Sequence, residues 1–103
     1  MNAYRRESLP YPDNAASGDG GGIFNSGALA MALTDLSGNA AGGDGGGLYN
    51  GGIAALVFCT VDDNAAFAGG GIDADPSGQP VVLIGTEVRR NKGGNIFGRV
   101  IRL

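Results

Sequence analysis

Asn39 to Asn50 reads NAAGGDGGGLYN, and the chain writes near copies of this stretch three more times. NAASGDGGGIFN begins at Asn14, NAAFAGGGIDA at Asn64 and a clipped NKGGNIFG at Asn91. Successive asparagines are 25, 25 and 27 residues apart. A fixed period of this size marks stacked repeats, each too small to bury its own apolar surface.

Within the repeat that starts at Asn39, Leu48-Tyr49-Asn50 is followed by a Gly51-Gly52 corner. The run Ile53 to Val61 comes next, and Asp62-Asp63 leads back to Asn64. Short apolar, β-branched runs bounded by glycine pairs predict strands joined by tight turns, not helices. Superposing the repeats yields ladders. Ile23, Leu48, Ile72 and Ile96 share one position, and Tyr11, Leu36, Val61 and Val88 another. Asn14, Asn39, Asn64 and Asn91 form a third. Asparagine suits turns, and stacked amides can hydrogen-bond to one another. The expected architecture is all-β: a parallel β-helix of about four coils of 25 residues over positions 14–103, preceded by an arm or cap over 1–13.

Glycine supplies 21 of the 103 residues. It falls at fixed places in each repeat, so the composition reads as order and not as a flexible linker. A single cysteine, Cys59, leaves no partner for an intrachain disulfide and aligns with Thr34 and Thr86, which reads as a small buried side chain. No apolar run reaches the length of a membrane span. Arg5-Arg6 leads into Glu7 and prolines, not an apolar segment, so no signal peptide is legible. All ten acids lie between Glu7 and Glu87, and all seven bases lie outside that interval.

Catalytic chemistry finds little support. The chain has no histidine, which removes Ser–His and Cys–His pairs and His-bearing metal sites. Asp19 and Asp44 recur at one position, but two carboxylates are too few for a hard cation that wants six to eight oxygens. GGDGGGLYN lacks the sixth-place aspartate of calcium-binding nonapeptides, and GxxxxGK[ST] is absent. The bases Arg89, Arg90, Lys92, Arg99 and Arg102 have no interleaved aromatics, so they read as charges that blunt an open sheet edge, not as a nucleic-acid surface. Neither an enzyme, a metal nor a cofactor is expected.

The long strand carries the strongest functional signal, because both its faces are apolar. One face reads Leu29, Met31, Leu33, then Ala54, Leu56, Phe58, then Val81 and Leu83. The other reads Ala28, Ala30, Ala32, then Ile53, Ala55, Val57, then Pro80, Val82, Ile84. A strand apolar on both faces is covered on both. The second row therefore predicts a self-association surface centred on Ala30, Ile53, Ala55, Val57, Val82 and Ile84, in a homo-oligomer, trimer or dimer. The alternative is a carbohydrate-binding or carbohydrate-active groove lined by Asp19, Asp44, Phe24 and Tyr49, with Phe97 in the same column.

Gly21-Gly22-Ile23, Gly46-Gly47-Leu48 and Gly70-Gly71-Ile72, together with the apolar-x-x-Asn ladder, resemble the repeats of polymorphic outer-membrane proteins and pectate-lyase-like surface proteins. The resemblance covers about Tyr11 to Leu103. It implies a right-handed parallel β-helix and a surface or secreted location.

Overall fold

The computed structural model describes residues 11–12 and 15–103. Every element among them is a strand: β1 Tyr11–Pro12, β2 Ala15–Ala16, β3 Ile23–Asn25, β4 Ala28–Ala32, β5 Asp35–Ser37, β6 Ala40–Ala41, β7 Leu48–Asn50, β8 Ile53–Val57, β9 Thr60–Asp62, β10 Ile72–Ala74, β11 Val81–Ile84, β12 Glu87–Arg89, β13 Ile96–Gly98 and β14 Val100–Arg102. They form three four-stranded sheets, in the orders β1-β5-β9-β12, β13-β10-β7-β3 and β14-β11-β8-β4, and a small β2-β6 pair. All pairs are parallel, so successive coils stack as a β-solenoid. Three complete coils lie between the partial ones that contribute β1 and β13-β14. The enclosed solenoid is thus about three turns, one fewer than the repeat count suggests.

The register follows the ladders. Ile23, Leu48, Ile72 and Ile96 pair in series, and so do Tyr11, Leu36, Val61 and Val88. Inward-pointing Ile23, Leu36, Leu48, Leu56, Val61 and Ile72 are completely buried. Each such side chain is worth roughly 1.5–3 kcal/mol relative to an exposed one. Coils this thin need glycine where backbones cross. A Cβ on Gly46 would lie 2.3 Å from the Gly70 oxygen and 2.5 Å from the Ala65 oxygen.

Asparagine holds the corners. Asn64 donates from Nδ2 to Asn91 Oδ1 at 3.0 Å and to the Leu36 carbonyl at 2.9 Å, while its own Oδ1 accepts the Asn39 N–H at 2.9 Å. Asn95 caps the ladder by accepting from both the N–H and the Nδ2 of Asn91. Asn14, expected at the ladder's start, lies outside the described residues, as does nearly all of the 1–13 arm. A second amide ladder, Asn25 Nδ2 to Asn50 Oδ1 at 2.8 Å, is an addition to the sequence-based account. Thr34, Cys59 and Thr86 are buried in one column as expected, with Thr86 Oγ1 accepting the Cys59 N–H at 3.2 Å. Burial pushes the Cys59 thiol above its ordinary pKa, which keeps it protonated.

One expectation is corrected. Leu33 and Phe58 do not continue the inner row. Both stand at a corner with φ of +54° and +51°, and both are about 60% exposed (61% and 62%). The left-handed turn breaks the two-residue alternation after Ala32 and Val57, swinging these side chains outward and the following Thr34 and Cys59 inward. In the third coil the same corner is Gly85, also at positive φ, and the Phe58 ring lies against it.

Candidate functional site

Two surfaces carry the residues singled out above. The first is the outer face of β4-β8-β11-β14. Registry aligns Ala30, Ala55, Val82 and Ile101 in one outward column. Ala32, Val57 and Ile84 run in the next, and Leu103 continues that column just past β14, where its N–H donates to the Leu83 carbonyl. Ile53 follows Ala28 in the third column and is 59% exposed. The structure therefore brings Ala30, Ile53, Ala55, Val57, Val82 and Ile84 together on one face. Sequence reasoning missed Ile101 and Leu103, which extend the face, and Leu33 and Phe58, which rim it. Arg99 adjoins Pro80 at the end of the Ile53 column and puts a charge at that border.

Four strands about 4.8 Å apart and five residues at about 3.3 Å each give a flat footprint of roughly 300 Å². That is the size of the largest apolar patch on a typical monomer, and patches of this kind are often functional.

The second surface lies on the outside of β3-β7-β10-β13. Phe24, Tyr49, Asp73 and Phe97 follow one another in register. The Phe24 and Tyr49 rings stack, with centroids 5.1 Å apart and planes 16° from parallel. The glycine loops fold beside them, so that Asp19 Oδ1 accepts the Asp44 N–H at 2.8 Å. The four groove residues are thus brought together. Phe97 is separated from the stack by Asp73, a member that sequence reasoning missed although the GIDA of the third repeat puts it in the Phe24–Tyr49 column.

Asp73 is 3% exposed. Burial, then the negative charges of Asp44 and Asp75 and a hydrogen bond to the Asp44 carboxyl, push its pKa up to about 6. Tyr49 donates its hydroxyl to Asp75, which raises the tyrosine pKa and lowers that of the aspartate. These groups satisfy one another. The two ring faces that meet in the Phe24–Tyr49 stack are not open to a sugar.

Elsewhere, Arg90 Nη2 contacts Asp62 at 2.9 Å and Arg89 Nε lies 3.8 Å from it, so two of the terminal bases are engaged by the coil above. Among the described residues no group of three or more Asp, Glu or Cys side chains is placed to hold a metal ion. No helix among them is long and apolar enough to cross a membrane. Comparison with known protein families, curated proteins and solved structures returned no match to this chain.

Proposed function

We propose that this chain is a non-catalytic structural or binding module that self-associates through the outer face of β4-β8-β11-β14. The observation that carries this reading is the four-strand face whose outward side chains are alanine, valine and isoleucine from Ala28 to Ile101, with no polar group inside it. Leaving such a face in water forgoes roughly 25 cal/mol for each Å² that a partner would cover. The glycine and asparagine ladders further support reading it as a right-handed parallel β-helix of the kind found in polymorphic outer-membrane and pectate-lyase-like surface proteins, with a surface or secreted location.

Light scattering at tens of micromolar tests the proposal. The wild-type chain should exceed its monomer mass of 10.2 kDa. Val57→Glu and Ile84→Glu, each adding a carboxylate to the covered face, should return it to monomer. A monomeric wild type would sink the proposal, as would an oligomer indifferent to both substitutions.

The second reading, a glycan groove, draws on the gathering of Asp19, Asp44, Asp73 and Asp75 beside Tyr49. A glycan-array screen with the soluble chain separates the two readings: a hit abolished by Tyr49→Ala and retained by Val57→Glu would favour the groove.

A further inference from the structure

We propose that the cavity beneath the β10-β11 corner binds a small, flat organic carboxylate, with Phe97 against its ring and Arg99 on its anionic head. None of Ala30, Ile53, Ala55, Val57, Val82 and Ile84 lines this cavity, so the site is independent of the self-association reading.

The cavity arises where the repeat changes length. The corner between the paired strands takes two residues in the first coil, Ser26-Gly27, and two in the second, Gly51-Gly52. In the third it takes six, 75–80, and in the last only Arg99. The third interval between asparagines is 27 residues instead of 25, and the surplus lies in this corner. Six residues stacked over one make an overhang. The space beneath it is about 260 Å³, lined by Ala74, Pro76, Gln79, Pro80, Phe97 and Arg99 among others.

The overhang is held in shape by its own bonds. Ser77 donates from both its N–H and its Oγ to Asp75 Oδ1 at 2.8 Å, and the Gly78 N–H donates to the Asp75 carbonyl at 2.9 Å. Gln79 is tied to the coil above, its N–H donating to the Gly52 carbonyl and its carbonyl accepting Asn50 Nδ2. Pro76 and Pro80 fix φ at two further places. A ligand entering a cavity already formed loses little affinity to ordering the protein.

Its walls are mostly apolar, and the Phe97 ring is 56% exposed and outside the Phe24–Tyr49 stack. A flat ring can therefore lie against it. Two charged residues line the cavity, Asp75 and Arg99. The aspartate is committed, one oxygen to Ser77 and the other to the Tyr49 hydroxyl. The Arg99 side chain makes no ion pair or hydrogen bond among the described residues. The uncommitted charge is thus positive, and a guanidinium offers paired donors that match a carboxylate. The volume falls just under the roughly 300–1,000 Å³ of sites for drug-sized ligands, which suits one ring with a short acidic arm.

The test titrates the full chain with phenylacetate, 2-phenylethanol and phenethylamine, which share a ring and differ in the charge of the head. Backbone amide NMR reads the shifts as each probe is taken to about 10 mM, beyond the affinity expected of so few atoms. The expected result is saturable movement of the Ala74, Gly78 and Gly98 amides, with phenylacetate bound about tenfold more tightly than the other two. Arg99→Gln should reduce phenylacetate to the level of the alcohol, and Phe97→Ala should weaken all three alike. Equal affinity for the three heads, or a preference for the amine, would overturn the carboxylate assignment even without the variants. Absence of saturable shifts, or shifts centred on Phe24 and Tyr49, would overturn the site.

Discussion

Ala30 and Ile101 stand in the same outward column of one sheet, linked in register through Ala55 and Val82. The column contains no polar side chain over its whole length. A solenoid needs apolar residues only on its inner rows, which here are Leu29, Leu56, Leu83 and their neighbours. The outward repetition therefore has a reason other than the core.

The asparagine ladder should carry much of the corner stability. Asn64 is 1% exposed and bonds both to the coil above and to the coil below. Asn64→Ala keeps the backbone N–H bond to Asn91 but removes the side-chain bonds to Asn91 Oδ1, the Asn39 N–H and the Leu36 carbonyl. The expected loss is about 2–3 kcal/mol by urea unfolding. A loss under about 0.5 kcal/mol would mean that the ladder is incidental.

Glycines of neighbouring repeats should differ sharply in tolerance. A Cβ on Gly46 meets two backbone oxygens, whereas one on Gly18 meets nothing within 4 Å. Gly46→Ala should lower stability by more than about 3 kcal/mol or prevent folding, while Gly18→Ala stays within about 0.5 kcal/mol. Equal tolerance by thermal melts would contradict the stacking of these turns.

Leu33 is a bulky residue held at φ +54° and exposed. The left-handed conformation costs an ordinary side chain roughly 1–2 kcal/mol, and asparagine tolerates it better. Leu33→Asn should therefore stabilise the fold by about 0.5–1 kcal/mol in urea titrations at low micromolar protein. A destabilised variant would show that Leu33 contributes contacts that outweigh the strain.

Asp73 sets a pH dependence. Its folded pKa, raised to about 6, exceeds the ordinary carboxylate value of 3.8, so the folded state holds the proton more tightly than the unfolded chain. Stability is then favoured at low pH and falls as pH rises from about 4 to about 6, by at most about 3 kcal/mol. Asp73→Asn removes the ionisation. It should melt higher than wild type at pH 7.5 and show little advantage at pH 4. An advantage that is the same at both pH values would contradict the assignment.

The inner ladders were legible because the 25-residue spacing from Asn14 through Asn64 is regular and each rung is aliphatic. What sequence reading missed lies where local geometry breaks that regularity. Leu33 and Phe58 carry no sign of a left-handed corner, and the clue lay one coil on, at Gly85. Ile101 and Leu103 were lost because the last coil passes from Gly98 to Val100 with one residue between, where the coil above spends six between Ala74 and Val81. Counting by repeat length therefore slips out of register. Asp73 escaped notice because the third repeat replaces an aromatic ring with a carboxylate, and only the fold shows that the glycine loop buries it.

The most direct test of self-association through the outer face is methyl NMR on dilution from about 100 to 1 µM, a range that spans the weak end of protein–protein affinity. Ile53, Val57, Val82 and Ile84 point outward and Leu56, Val81 and Leu83 inward. The account predicts that the outward methyl resonances shift with concentration while the inward ones stay fixed. Outward methyls that do not move, or shifts confined to residues around Phe24 and Tyr49, would contradict it.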